Sequence, residues 1–244
     1  MKTSDAATEL AKRAWQTILF PHDHRSGPNA SLATGAAMRL LGRSQITGES
    51  RTGSDADREA EVAELREAQV DLQLSRTLEA AGGGGEHLTY FTRKRDGFIY
   101  KATWREQFGL VPGLDARGRL RLLKATPSRY LLRCGLANAV FGDDIQLYAI
   151  AQDQAGDSSV PSIVTSQPFV IGTPATEKDI ATYLKKLGFE PLTTAAHRPS
   201  GLHDVWCRRR DSLVVCDAVS GNFVRTPKGD IVPIDLPAAI LPSF

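Results

Sequence analysis

The stretch Asp217-Ala218-Val219-Ser220-Gly221-Asn222, followed thirteen residues later by Asp235, decides the reading of this chain. Leu213 to Cys216 reads as a strand leading into Asp217. Phe223-Val224-Arg225 and Ile231-Val232-Pro233-Ile234 read as two strands around a turn at Pro227-Lys228-Gly229-Asp230. That hairpin returns Asp235 to the side of Asn222. An amide and a carboxylate brought together in this way suit Mg²⁺ bridging nucleotide phosphates. A carboxylate at the end of the preceding strand, Asp217, suits the orientation or deprotonation of an acceptor hydroxyl. The plain alternative is a surface loop with an unrelated aspartate at a strand end.

Working upstream, Val205 to Arg208 pairs as a hairpin with Leu213 to Cys216, and the charges of Arg208-Arg209-Arg210 are expected to be solvated at its turn. Residues 176–187 read as a helix: Thr176 caps it with Asp179 three positions on, and Gly188 ends it. Ile163-Val164-Thr165-Ser166 and Phe169-Val170-Ile171 are strand-like pieces separated by Gln167-Pro168. They read either as a hinge whose Gln167 and Phe169 meet an adenine ring or as a kinked buried strand. Ile145 to Ala151 is a strand, and Pro127 to Phe141 a helix with Gly142 after its end. Leu120 to Leu123 is a short strand, and residues 109–118 are expected to be loops.

The four-glycine run Gly82–Gly85 precedes a hairpin of Leu88 to Thr92 and Phe98 to Thr103, with Arg93-Lys94-Arg95-Asp96-Gly97 as its turn. Lys101 lies on the returning strand. Glycine backbone at Gly83, Gly84 and Gly85 is able to crowd a phosphate, and Lys101 to neutralise it. A flexible linker and a solvated edge lysine are the alternatives. Trp104 and Trp206 read as core anchors, and His87, His197 and His203 as histidines without a nameable partner. Residues 1–81 are rich in Ala, Arg and Glu. They read as helices over 5–20, about 32–41 and 57–81, with a linker at 42–57. His22 and His24 read as a polar turn rather than as metal ligands.

The whole is an α+β pattern. It resembles the kinase-like domain found in polyvalent proteins of phages and conjugative elements. The resemblance runs over about residues 82–244, through Glu86-His87, Tyr100-Lys101-Ala102-Thr103, Phe141-Gly142-Asp143-Asp144-Ile145, Ile163 to Pro168, Asp217 to Thr226 and Pro233 to Pro237. The Asp217 loop is also similar to the phosphotransferase loops of aminoglycoside kinases. The resemblance implies a two-lobed protein-kinase-like fold with a first lobe at 82–172 and a reduced second lobe at 173–244, behind a helical region at 1–81. It implies Asp217 as catalytic base, Asn222 and Asp235 as metal ligands, and Lys101 as the phosphate lysine. ATP and Mg²⁺ are the implied cofactors. Val215-Cys216 stands where His-Arg precedes the catalytic aspartate in kinases, and Leu236-Pro237 where Phe-Gly follows the metal-binding one. The 127–141 helix carries Arg129 and Arg133 and no glutamate to pair with Lys101.

Composition bounds the rest. The 244 residues hold 30 Lys+Arg against 28 Asp+Glu, a formal charge of +2, with 41% hydrophobic and 24% charged residues. Collagen-like, disulfide-framework and wholly disordered classes are excluded. A charge near zero gives little support for a nucleic-acid partner. The polar start, the lack of an apolar run long enough to span a bilayer, and three scattered cysteines predict a cytoplasmic protein with reduced thiols and no membrane partner. The expected function is transfer of the ATP γ-phosphate to a hydroxyl of a protein or small molecule. Two rivals stand beside it: a degenerate kinase-like binding module, and an interaction protein of phages or mobile elements that uses residues 1–81.

Overall fold

Pro127–Phe141 is the helix around which the other elements are arranged. Thr126 caps it in an extended conformation, with Pro127 in the first turn, and Gly142 ends it at φ +76°. The carboxylate of Glu61 adds a second cap, accepting from the Ser128 backbone N–H and hydroxyl, both at 2.8 Å. The computed structural model describes residues 5–21, 27, 29–43, 55–71, 78–92, 96–104, 107–152, 160–192 and 204–241. The expectations for the His22/His24 turn, most of the 42–57 linker, the Arg93-Lys94-Arg95 charges, His197 and His203 lie outside them.

In chain order the elements are α1 (Asp5–Leu19), α2 (Ala30–Arg43), α3 (Asp55–Ala68), β1 (Val70–Asp71), β2 (Leu78–Gly83), β3 (His87–Thr92), β4 (Phe98–Thr103), β5 (Leu110–Leu114), β6 (Leu120–Lys124), α4 (Pro127–Phe141), β7 (Gln146–Gln152) and β8 (Ser162–Pro168). The remainder is β9 (Thr173–Pro174), α5 (Glu177–Lys186), β10 (Glu190–Pro191), β11 (Trp206–Arg208), β12 (Leu213–Val215), β13 (Phe223–Arg225), β14 (Ile231–Pro233) and β15 (Ala238–Ile240). The fold is mixed α+β with several antiparallel sheets. A six-stranded sheet has the order β1-β7-β8-β4-β3-β2, antiparallel except where β1 meets β7. A four-stranded sheet runs β10-β11-β12-β15, a three-stranded one β14-β13-β9, and β5 pairs with β6.

Strand alternation buries both faces of the larger sheet. Tyr90, Tyr100, Ala102, Ala149 and Val164 pack together on one face. Ile150 and Ile163 join the other core, with Trp15 of α1, Leu40 of α2, Leu65 of α3 and Leu131 of α4. The first three helices therefore share a core with the sheet, and the expected boundary at 81/82 falls inside the span of β2. Leu136, on another face of α4, belongs to a further core with Leu184 of α5, Val215 of β12 and Phe223 of β13. One helix thus contacts both halves of the molecule.

Several expectations change. The 57–81 helix ends at Ala68, because Leu78 onward pairs with β3 instead. Residues 110–114 form β5 rather than a loop, with Pro112 and Gly113 tolerated in an isolated two-stranded hairpin. Phe169-Val170-Ile171 is not a strand, although the Phe169 N–H still bonds the Gly97 carbonyl at 2.8 Å. Arg208 is buried, paired with Asp211 at 2.8 Å, and lies over the Phe189 ring. Trp206 is buried as expected, but Trp104 is partly exposed. Its Nε1 donates to the Gly84 carbonyl at 2.8 Å, so it props the glycine loop instead of anchoring a core. No helix among the described residues is long and apolar enough to cross a membrane.

Close approach of α1 to α4 depends on a missing side chain. A Cβ at Gly135 would lie 2.2 Å from the Ala14 carbonyl oxygen. Helix propensity alone favours Gly135→Ala by about 1 kcal/mol. The clash is with backbone, so the substitution is expected to lower stability by about 1–3 kcal/mol. Urea unfolding checks this, with Gly85→Ala, whose Cβ meets open space, as the neutral control.

Candidate functional site

Lys101 reaches the site because β4 turns Tyr100 and Ala102 into the core on the other face. Its register neighbours are Thr89 on β3 and Thr165 on β8. Only 14% of the side chain is exposed, so its ammonium requires partners. It donates to the Ile234 carbonyl at 2.8 Å and lies 3.8 Å from Asp235 Oδ2.

The C-terminal residues are held by backbone geometry. Asp217 follows β12 at φ +55°, a left-handed conformation that aspartate tolerates better than most residues. Its carbonyl accepts from the Val219 N–H at 2.7 Å and from Asn222 Nδ2 at 2.9 Å. The Asn222 carbonyl in turn accepts from the Ile234 N–H at 2.9 Å, extending the β13–β14 pairing. That bond sets Asp235 close to the Asp217–Asn222 turn.

Arg133 of α4 joins these parts. Its Nη2 donates to Asp235 Oδ1 at 2.5 Å, and its Nη1 to Glu86 Oε2 at 2.5 Å and to the Leu110 carbonyl at 2.8 Å. The guanidinium is 5% exposed. Gly109 makes room for this arrangement: its φ is +72°, and a Cβ there would fall 2.6 Å from Glu86 Oε2. Burial alone would raise the Asp235 pKa, but Lys101 and Arg133 outweigh it and hold the carboxyl at about 2. His87 Nδ1 stands 4.0 Å from Asp235 Oδ2. Burial pushes that imidazole down to about 3, so it is neutral at pH 7.

Behind Lys101 is a small inner cavity of about 20 Å³ that includes His87, Asp143, Gln167 and Asp235 in its lining. This is room for about one water molecule. His87 Nε2 and Asp143 Oδ1 are both buried and have no hydrogen-bond partner among the described residues. Burial pushes the Asp143 carboxyl up to about 8; Lys101 opposes the shift and Asp235 adds to it. Asp143 is therefore mostly protonated at neutral pH.

The outer cleft is about 500 Å³, in the range of small-molecule sites. Of the residues singled out by sequence, it gathers Gly84, Gly85, Lys101, Asp217, Asn222 and Asp235. Three others lie elsewhere. Gly83 is in β2 beside Trp104. Gln167 faces the inner cavity and reaches the Ile234 carbonyl at 3.4 Å. Phe169 is 48% exposed and stacks edge-on against Phe91. Cys216 is buried, its thiol pushed up to about 12 by burial and Asp217, as suits a strand thiol rather than a nucleophile.

Glu86, His87 and Arg133 also line the cleft. Their roles escape sequence reasoning. The available signal was the charge on the 127–141 helix: an arginine there cannot pair with Lys101 and requires carboxylates, which Arg133 finds in Glu86 and Asp235. Asp235 now has one oxygen on Arg133 and the other beside Lys101. A divalent cation binding there would share the carboxylate with two fixed cations. Among the described residues no group of three or more His, Cys, Asp or Glu side chains is placed to hold a metal ion. Comparison with protein-family models, curated proteins and solved structures returned no match.

Asp143 supplies a pH test. Its carboxyl titrates at 3.8 in the unfolded chain and at about 8 in the folded one. The folded state binds the extra proton between those values, so its contribution is full below the lower pKa and lost as pH rises through the upper one. Asp143→Asn removes this loss. Its stability relative to the parent is expected to rise by more than about 1 kcal/mol between pH 5 and pH 8, read by urea unfolding at each pH. His87 titrates in both proteins and drops out of the difference.

Proposed function

We propose that the cleft binds the phosphate end of a nucleotide such as ATP in a protein-kinase-like arrangement, and that the chain acts as a kinase-like binding module. One observation carries the reading: Lys101 from the sheet and Asp217, Asn222 and Asp235 from the C-terminal strands line a single cleft with Gly84 and Gly85. The Lys101 ammonium is a fixed positive charge at the floor of that cleft, suited to a phosphate oxygen. The glycine loop offers backbone without side chains in the way, since a Cβ at Gly84 or Gly85 would meet nothing within 4 Å. In this reading the six-stranded sheet belongs to the first lobe, which therefore begins before residue 82, and residues 173–244 form a reduced second one, as the resemblance to kinase-like domains of polyvalent proteins implies.

Binding without turnover is favoured by the 127–141 helix, which has no glutamate to pair with Lys101 and whose Arg133 takes up Asp235. A second reading is supported by Asp217. Its place after β12, in the same cleft, suits a carboxylate that orients an acceptor hydroxyl for phosphoryl transfer. That reading, with ATP and Mg²⁺, requires Arg133 to leave Asp235.

Titration calorimetry with ATP is the test. Lys101→Met is expected to weaken binding at least tenfold, and equal binding by the two proteins would remove the proposal. Phosphoryl transfer from labelled ATP to a panel of peptide and sugar hydroxyls separates the two readings. Transfer that disappears in Asp217→Asn while ATP binding persists would establish the enzyme, and background transfer in both proteins the module.

A further inference from the structure

We infer that Arg133 takes the place of a divalent cation at Asp235, so that the cleft engages nucleotide phosphates through Lys101 and Arg133 without a metal. The inference rests on the phosphate-binding reading above and specifies how that site balances charge.

Arg133 is fixed along its whole path. Its helix is capped at both ends, by Thr126 and Glu61 at the start and by the left-handed Gly142 at the finish. Its Nη1 is held by Glu86 and by the Leu110 carbonyl, and its Nη2 by Asp235. Unlike a lysine, it cannot shed its charge when buried. Magnesium coordinates a carboxylate oxygen at about 2.0–2.1 Å. On Asp235 each oxygen already faces a cation, Arg133 on one and Lys101 on the other. A dication at either would stand beside two immobile positive charges at short range, where repulsion grows as the inverse of distance. Asn222, the other residue expected to hold a metal, offers one neutral oxygen only, its amide nitrogen being spent on the Asp217 carbonyl.

The same residues suit an oxyanion. Arg133 carries five N–H donors, and three are engaged by Glu86, Leu110 and Asp235. Lys101 spends one hydrogen bond on the Ile234 carbonyl. Both side chains line the cleft. A phosphate oxygen joins them through the remaining donors while Asp235 stays paired. The carboxylate then holds two cations in position beneath the phosphate, where a kinase would use it to hold magnesium.

Two titrations on the intact chain decide this. ATP binding is measured by calorimetry in excess EDTA and in excess Mg²⁺, for the parent, Arg133→Gln and Arg133→Lys, each first checked for cooperative thermal unfolding. The parent's Kd is expected to agree within threefold between the two buffers. Arg133→Gln is expected to bind at least tenfold more weakly in EDTA and to recover on adding Mg²⁺. Arg133→Lys keeps the charge and is expected to stay indifferent to the metal. A parent Kd at least tenfold tighter in Mg²⁺ overturns the inference while leaving the nucleotide reading intact, and it does so whether or not Arg133→Gln folds. No ATP binding in either buffer overturns the nucleotide reading and the phosphate half of this inference together. Mn²⁺ titration followed by electron paramagnetic resonance, without nucleotide, then decides the other half. A saturable Mn²⁺ site in the parent that Asp235→Asn removes overturns it, and Mn²⁺ bound by Arg133→Gln but not by the parent supports it.

Discussion

A guanidinium in the middle of α4 is the constraint on which the rest of the site depends. Arg133 is nearly sealed from solvent, and a charge taken out of water must be matched by fixed partners. The partners come from three separate places: Glu86 after the glycine loop, the Leu110 carbonyl at the start of β5, and Asp235 after β14. Each of those segments is short and irregular by itself. Bound to one rigid helix, they acquire a common position, and the cleft they surround acquires its shape.

The same helix explains why residues so far apart in sequence converge. Leu131 packs into the core under the six-stranded sheet, and Leu136 into the core of the C-terminal strands. Gly135 admits α1 at backbone distance. Lys101 and Asp235 therefore approach each other through two hydrophobic cores that share one wall. The ion pairs select the arrangement locally, while burial of apolar surface supplies most of the stabilisation.

Features whose cause is local in sequence were legible. The α5 capping box of Thr176 and Asp179, the Pro127 start and Gly142 stop of α4, and the β13–β14 hairpin with its Gly229 turn all follow from short-range chemistry. The approach of Asn222 to Asp235 was legible for the same reason, since a hairpin returns the chain to its starting point. Features set by tertiary partners were not. Leu78 to Gly83 carries a helix-like composition at its start, and becomes β2 only because β3 offers a ladder. Leu110–Leu114 holds a proline and a glycine, and pairs because β6 lies alongside. Trp104 is apolar enough for a core, but its indole N–H found the Gly84 carbonyl. The clustering of Glu86, His87 and Arg133 depends on the packing of α4, for which no spacing in the chain is a guide.

The glycine run has one more effect, unrelated to ligands. β2 is the outermost strand of the six-stranded sheet, so among the described residues one row of its amides and carbonyls is left without a neighbouring strand. Such an edge invites another molecule to add itself and begin an assembly. Here the register slips between Ala80 and Gly82, at a glycine with φ +134°, and the strand ends in Gly83 with few side chains to grip a newcomer. The loop proposed to receive phosphates thereby also discourages self-association, and a substitution that straightened it would carry a solubility cost that a binding assay would not detect.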